Sequence, residues 1–280
     1  MTTVPSNPAP LRPDQDEGYG AWDGSATTPL PVIPPTPESP LAGGQPLFEH
    51  LEELRWRLVR VLIAVVLASI IGASFAFPIV ELLKIPAEGV KLIRTGVTEM
   101  IGLYMKVSLY TGLVLAFPVA LYQAVAFIMP GLTRQERRWV LIMIPAALGA
   151  FLAGAAFCFF VLLPPAMNFL LHFGEEVAEP FIRIGDYIST VLSMVFWVGA
   201  TFETPLVIFV LARVGVVTPE KLAGFRRWAV VIAFVAGAMI TPTFDPFNQT
   251  LVALPLMVLY EVGIQLSKIA VKMRASAAND

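Results

Sequence analysis

Six long apolar runs, separated by short polar segments, organise most of the chain. They contain few or no charged residues and occupy positions 61–77, 107–129, 139–163, 188–212, 228–241 and 249–266. Residues that end helices or start new ones mark the breaks: Pro78, Pro130, Gly131, Pro164, Pro165, Pro219 and Pro242. Because a bilayer interior offers no water to an open backbone, such runs predict transmembrane helices. The pattern predicts an all-α polytopic membrane protein with six spans.

Composition agrees with a chain that lies in a lipid bilayer. Hydrophobic residues make up 56% of the sequence and charged residues 14%, against roughly 25% charged in soluble domains. The net charge is -2 and no nucleic-acid motif occurs, so a nucleic acid is not an expected partner. The single cysteine, Cys158, excludes an intramolecular disulfide and a cysteine-cluster metal site. We expect no cofactor.

The first 46 residues differ from the rest and carry 11 of the 24 prolines. This composition predicts a disordered tail. No basic start followed by an apolar stretch is present, so we do not read it as a cleaved signal peptide. We expect a Pro-rich tail over 1–46, a six-span membrane domain over 47–266 and a C-terminal tail over 267–280.

The distribution of basic residues predicts the orientation. Six spans put both termini on one side, and the segments on that side hold 14 of the 19 Lys and Arg residues. Cytoplasmic segments of membrane proteins carry the excess of Lys and Arg. We therefore expect a multi-pass membrane protein with both termini in the cytoplasm.

The fifth run, 228–241, is short. Its 14 residues reach only about 21 Å as a helix, whereas the hydrocarbon core is roughly 30 Å thick. The run is either a simple core helix or a wall that thins the bilayer locally. The sequence leaves both interpretations open.

Two acidic positions stand beside the predicted spans. Glu53 precedes the first span and forms a favourable i, i+4 pair with Arg57. Glu136 follows Thr133 in a capping-box spacing before the third span. Glu136 either caps that helix or receives a cationic ligand, and a guanidinium suits such a carboxylate because it stays charged and binds it bidentately.

Polar residues inside the spans are the other functional candidates. Glu203 lies deep in the fourth run, where an ionisable group costs several kcal/mol unless it is protonated, paired or hydrated. Gln123 and Glu261 are lesser intramembrane polar positions. The alternative for all three is interhelical hydrogen bonding that only fixes the bundle.

Four ordered motifs resemble a known family. They are FEHLEELRWRL at 48–58, the stretch from LYQ at 121–123 to Arg137, FETP at 202–205, and TPTFDPFNQT at 241–250 leading into Leu254 and Pro255. Together they resemble TatC, the multispanning receptor subunit of the twin-arginine protein translocase. The resemblance runs from about residue 46 to 268.

The resemblance implies a glove-like six-helix bundle with short fifth and sixth spans. It also implies binding of twin-arginine signal peptides of folded precursor proteins at the cytoplasmic face. The matching signal-binding positions are Glu53 and Glu136, with Arg55, Phe127 and Leu132 beside them.

The same resemblance implies partners. These are TatA and usually TatB, single-span proteins that assemble with the receptor under the protonmotive force, in a hetero-complex containing several copies of the chain. Glu203 matches a buried family glutamate that is proposed to meet polar groups of those partners. Met239, Thr241 and Gln249 fall at the docking site on spans five and six, and Gln123 and Glu261 join them as polar intramembrane positions.

Some features depart from the family pattern. Met100 and Ile101 precede Lys106 where relatives often carry aromatic residues, and the hairpin at 241–249 is one residue longer than in some relatives. A proton-coupled small-solute transporter is the alternative function, although no repeated half with matching interrupted spans is visible. No HExxH, P-loop or paired aspartates occur, so we do not expect an enzyme.

Overall fold

The computed structural model describes residues 45–87, 91–128, 134–174, 176, 181–241 and 245–277, with side chains over 51–87, 91–127, 143–174, 176, 181–241 and 245–274. Residues 1–44 of the expected tail at 1–46, all of Leu132 and the side chain of Glu136 lie outside the described residues. A compact unit begins at Pro46. The predicted domain boundaries, including the start of the membrane domain at residue 47, stay a prediction.

Ten α-helices and a pair of two-residue strands make up the described residues. The helices are α1 (Gln45–Ser74), α2 (Ala76–Leu83), α3 (Glu99–Ile128), α4 (Arg134–Phe157), α5 (Leu163–His172), α6 (Ile184–Thr201), α7 (Thr204–Val214), α8 (Pro219–Gly224), α9 (Arg226–Ile240) and α10 (Pro246–Ala277). The strands β1 (Leu92–Ile93) and β2 (Ile182–Arg183) pair in parallel, with Leu92 opposite Ile182.

These helices form six crossings, made by α1, α3, α4 with α5, α6 with α7, α9, and α10. All but the α9 crossing contain a helix that is long and apolar enough to span a bilayer. The prediction of an all-α six-span protein is confirmed. We call the side at which α1, α4 and α9 begin the α8 face, and the opposite side, at which α3, α6 and α10 begin, the α2 face.

The last two crossings differ in length. Helix α9 has 15 residues and reaches about 22 Å, short of a typical hydrocarbon core. Helix α10 has 32 residues, so the expectation of a short sixth span is wrong for the helix itself. The apolar run stops near Leu266, but the helix continues to Ala277 because Lys, Met, Ala and Arg are good helix formers.

Prolines interrupt two of the crossings. Between α4 and α5 the residues Cys158–Leu162 form a π-helical segment just before Pro164 and Pro165. Between α6 and α7 the helix breaks before Pro205, and Glu203 is the N-cap residue of α7. Proline removes a backbone donor and clashes with the carbonyl of the preceding turn, which explains both interruptions. The second break places Glu203 in the turn between α6 and α7.

Small residues let α1 and α3 approach each other closely. A side chain on Gly112 would lie 2.6 Å from the Cα of Ser69, and one on Gly72 would lie 2.9 Å from the carbonyl oxygen of Ser108. Interfaces between transmembrane helices are enriched in small residues for this reason. Since the two helices are antiparallel, this contact sets which of their residues face each other elsewhere.

Glu99 joins two connections at the α2 face. Its Oε2 accepts hydrogen bonds from the N–H groups of Thr95 at 2.8 Å and Gly96 at 3.1 Å, and its Oε1 accepts one from the N–H of Gly185 at 3.0 Å. The β1–β2 pair lies on the same two connections. The carboxylate therefore fixes the start of α3 to the start of α6.

Candidate functional site

A hydrogen-bonded group of three polar side chains lies toward the α8 face. The Nε of Arg57 donates to Oε1 of Glu53 at 3.0 Å, and Nη2 of Arg57 donates to the same oxygen. The Nη1 of Arg57 donates to Oε1 of Gln123 at 3.2 Å. We call Glu53, Arg57 and Gln123 the polar triad. It links α1 to α3, which are 66 residues apart at this contact.

Helix geometry explains the first part of the triad. Glu53 and Arg57 are four residues apart on α1 and share one face of the helix, with the acid on the N-terminal side. An exposed pair of this kind contributes only about 0.3–0.5 kcal/mol. Here the side chain of Arg57 is 17% exposed and that of Glu53 34%, so the arginine is the more buried member of the pair.

Interhelical register explains the second part. Gly112 of α3 contacts Ser69 of α1. Arg57 lies twelve residues before Ser69, and Gln123 lies eleven residues after Gly112. In an antiparallel pair these offsets bring Arg57 and Gln123 to the same level. The close approach at glycine thus positions a polar contact several turns away.

The other expected signal-binding residues surround the triad in sequence. Arg55 is exposed, and Phe127 is half-buried one helical turn after Gln123. Glu136 belongs to the first turn of α4. Since its side chain lies outside the described residues, as does all of Leu132, the choice between a cap and a ligand at Glu136 stays open.

Glu203 occupies a different environment, within the membrane-spanning part. Its Oε1 is enclosed and has no hydrogen-bond partner among the described residues. The side chain borders a cavity of about 160 Å³ between α3, α4 and α7. Every other residue that lines the cavity is apolar: Leu121, Ala124, Val125, Met143, Ile144, Ala147, Leu206, Val207, Val210 and Leu211. Glu203 is therefore the one ionisable residue at the wall of a small, otherwise apolar space within the described part of the chain.

The two lesser polar positions do not line that cavity. Gln123 turns to the other side of α3 and bonds to Arg57. Glu261 accepts hydrogen bonds from Arg226 Nε at 3.0 Å and from Arg226 Nη2 at 2.6 Å, which joins α10 to the start of α9. Both contacts lie toward the α8 face.

The residues expected at a docking site on spans five and six lie near the α2 face. Met239 is 81% exposed. Thr241 is buried and donates from Oγ1 to the carbonyl of Gly237 at 2.9 Å, and Gln249 donates from Nε2 to the carbonyl of Phe234 at 2.9 Å. Of the three, only Met239 exposes most of its side chain at the surface, whereas Gln249 bonds α10 to α9.

Sequence reasoning missed two charged residues with unusual surroundings. Arg213, in the last turn of α7, is 4% exposed, and its Nε and Nη1 have no hydrogen-bond partner among the described residues. Glu99 carries the connection at the α2 face. The neighbouring sequence does not indicate that the guanidinium of Arg213 is buried, and the bond from Gly185 to Glu99 joins residues far apart along the chain.

Comparisons with known proteins agree on one family. The family model described as Sec-independent protein translocase protein (TatC) matches residues 49–255. The chain is 42% identical over 235 residues to the Sec-independent protein translocase protein TatC of Aquifex aeolicus, covering 82% of this chain and 97% of that protein. It is 38% identical over 226 residues to the chloroplastic Sec-independent protein translocase protein TATC of Arabidopsis thaliana, covering 80% and 66%.

A solved structure shows the same fold. A crystal structure of the twin arginine translocase receptor TatC superimposes with a TM-score of 0.72 at 42% identity, covering 79% of this chain and 99% of that one. The family match includes α1, the polar triad, the turn at Glu203 and the first part of α10. The resemblance of the motifs is thus confirmed over the six-span domain. The chain belongs to the TatC family of Sec-independent protein translocase proteins and is a multi-pass membrane component of protein transport.

Proposed function

We propose that this protein is the receptor subunit of a twin-arginine translocase and binds the twin-arginine signal peptides of folded precursors. The carboxylate of Glu53 is the observation that carries the proposal. It is partly exposed at the polar end of α1 and fixed by Arg57, and a solved relative is described as a twin arginine translocase receptor. The other proposed contacts are Glu136, Arg55, Phe127 and Leu132.

Arginine is a suitable ligand for such a site. A guanidinium stays charged at any physiological pH and presents several N–H donors in a plane, whereas a lysine ammonium is a point charge. Two consecutive arginines can engage two carboxylates at once, which gains affinity and specificity together. In this proposal Glu53 receives one guanidinium and Glu136 the other.

The orientation supports a cytoplasmic site. The segments on the α8 face contain most of the Lys and Arg residues, including Arg55, Arg134 and Arg227. Under the positive-inside rule that face is cytoplasmic, as are both termini. Precursors that fold before export would then meet Glu53 on the side where they are made.

We further propose that TatA and TatB, small single-span proteins, dock on the membrane-facing helices and assemble with the receptor under the protonmotive force. An unpaired oxygen of Glu203 beside an apolar cavity supports a polar contact with a partner helix inside the bilayer. Exposed Met239 on the short α9, near Thr241 and Gln249, supports a second docking surface. A short α9 favours local thinning of the bilayer, which suits short partner helices.

Binding of matched peptides tests the receptor function. The full chain in lipid nanodiscs is titrated with a labelled signal peptide bearing Arg-Arg and with the same peptide bearing Lys-Lys. We expect a preference for Arg-Arg, and a loss of about tenfold or more in its affinity in Glu53→Gln and in Glu136→Gln, as removal of a charge-assisted hydrogen bond predicts. Glu220→Gln, an exposed acid of α8 at the same face, is the control and should bind normally.

The outcomes separate the two candidate functions. Equal affinity for both peptides would remove the receptor assignment. Uptake of a small solute by the isolated chain in proteoliposomes, driven by a pH gradient, would then favour the proton-coupled transporter. A photocrosslinker at Gln135 that captures only the Arg-Arg peptide would locate the contact beside Glu136.

A further inference from the structure

Arg57 contacts both other members of the polar triad through different nitrogens. Two of its donors, Nε and Nη2, converge on a single oxygen of Glu53, and the third, Nη1, binds Gln123 of the neighbouring helix. All three nitrogens of the guanidinium are therefore engaged. The contact to Gln123 joins residues far apart in sequence, so it is not a by-product of i, i+4 spacing.

The arrangement neutralises Glu53 without hiding it. The side chain of Arg57 is the less exposed of the two and bonds to residues of both helices, whereas the side chain of Glu53 remains about one-third exposed. A fixed cation cancels much of the Coulomb attraction that a bare carboxylate exerts on any passing cation. What remains for an incoming ligand is directional hydrogen bonding to the carboxylate.

We propose that Arg57 is a positioning residue that makes the receptor discriminate arginine from lysine in the signal peptide, with Gln123 holding Arg57 in place. This inference rests on the proposed function of Glu53. Because the resident cation reduces the gain from charge alone, a lysine ammonium binds poorly. A planar guanidinium, which forms two directed bonds, retains more of its binding energy. Specificity here comes from weaker binding of the wrong ligand, lysine.

Gln123 has a distinct part in this arrangement. An arginine side chain is long and flexible, and an unanchored Arg57 could swing to other acceptors. The amide oxygen of Gln123 accepts from Nη1 without adding charge, so it restricts the guanidinium and leaves the pair with Glu53 neutral. A structural role alone would also tie α1 to α3, but it would not distinguish two cationic ligands.

The test measures both peptides on each variant of the full chain in nanodiscs. In Arg57→Gln we expect the affinity for Lys-Lys to rise by about fivefold, the order of magnitude of one partly exposed ion pair. Affinity for Arg-Arg should stay level or fall, so the Arg-Arg over Lys-Lys ratio drops by about fivefold or more. Arg57→Lys restores the positive charge and should return the Lys-Lys affinity toward its original value.

Gln123→Met isolates the anchor. Methionine has a similar length but a much weaker acceptor, so we expect a smaller drop in the ratio than in Arg57→Gln. Arg60→Gln is the matched control, since Arg60 is an exposed arginine on the same helix, and its ratio should not change. Monodisperse elution and thermal unfolding confirm that each variant is folded, and Gln123→Met with Arg57→Lys decide the matter if Arg57→Gln does not fold.

Two results would overturn the inference. If both affinities fall together in Arg57→Gln and Gln123→Met, the triad only ties the helices. If the ratio is unchanged throughout, discrimination lies elsewhere. Both differ from failure of the proposed function, in which the unmodified chain itself shows no preference for Arg-Arg.

Discussion

The two glutamates Glu53 and Glu203 occupy opposite kinds of surroundings in one membrane domain. Glu53 is partly exposed and its Oε1 accepts two N–H bonds from Arg57. Glu203 has an enclosed Oε1 without a hydrogen-bond partner among the described residues, beside an otherwise apolar cavity. The first carboxylate has a resident cation that belongs to its own helix. The second lacks such a cation within the described chain.

This difference teaches what each group is suited for. A neutralised, accessible carboxylate exchanges ligands at low cost, because water and protein donors can replace one another. An enclosed oxygen without a partner costs free energy for as long as it stays so. The surroundings of Glu53 therefore suit a soluble peptide that binds and leaves, and those of Glu203 suit a polar group that arrives within the membrane.

Gly112→Leu should have the largest effect of the substitutions considered, and it tests the surroundings of Glu53. A side chain at Gly112 meets the backbone of Ser69, so α1 must move away from α3 and Arg57 from Gln123. We expect the free energy of unfolding to fall by about 3 kcal/mol, as overpacking does, together with weaker Arg-Arg peptide binding. Denaturant titration and peptide binding measure the two effects.

Gly149→Leu is the control for that substitution. Outside its own helix backbone and chain neighbours, no atom of the described residues lies within 4 Å of a Cβ placed there, so both readouts should stay near those of the unmodified chain. Unchanged stability and peptide binding in Gly112→Leu would show that the helix contact does not position the polar triad.

Glu203→Leu tests the other side of the comparison. Removing a buried polar atom without a partner should raise the free energy of unfolding of the isolated chain by about 1–3 kcal/mol. Co-purification of a TatA-type or TatB-type partner should fall, while Arg-Arg peptide binding stays normal. Thermal unfolding and pull-down of the partner from membranes provide the measurements.

Glu261→Leu supplies the contrast, because Glu261 is paired with Arg226. Its loss should lower the free energy of unfolding slightly, by about 1 kcal/mol or less for an exposed pair. A fall in stability in Glu203→Leu as well would mean that Oε1 of Glu203 is already satisfied in the isolated chain, and the contrast between the two glutamates would be lost.

Glu99→Gln sharpens the comparison with a glutamate that is fully satisfied by its own chain. Glutamine keeps one acceptor oxygen, so the N–H groups of Thr95, Gly96 and Gly185 can no longer all be served. We expect a loss of about 1.5 kcal/mol, with faster amide exchange at these residues and no change in peptide preference. Glu81→Gln removes an exposed pair with Lys84 and should change the free energy of unfolding little. Equal effects of the two substitutions would show that Glu99 has no structural role.

Local patterns predicted the helical architecture and singled out both glutamates. Six apolar runs gave six crossings, because backbone hydrogen bonding in a bilayer leaves a helix as the natural form of such a run. Glu203 stood out from its depth alone, and the pairing of Glu53 with Arg57 follows from spacing on one helix. These are properties of short stretches of chain.

Long-range contacts could not be predicted in the same way. The bond from Arg57 to Gln123 requires the register of α1 against α3, which depends on the close contact at Gly112. The length of α10 was missed because hydropathy ends at Leu266 while helix propensity does not. Arg213 entered the prediction only as one of the basic residues that indicate the orientation, because nothing in the neighbouring sequence indicates that its guanidinium is buried.

Arg213→Met should have the smallest effect on the free energy of unfolding. The sign of that change extends the comparison from the two carboxylates to a buried cation. Arg213 is buried, its Nε and Nη1 have no partner in the described part of the chain, and the C-terminal end of the α7 dipole favours its charge. Replacing a buried charge with incomplete hydrogen bonding by an apolar side chain of similar size should be neutral or stabilising, here by about 1 kcal/mol. Denaturant titration measures it, with exposed Arg227→Met expected near zero. A loss of several kcal/mol instead would reveal an anionic partner in the intact membrane, and Arg213 would then belong with Arg57 among the paired charges.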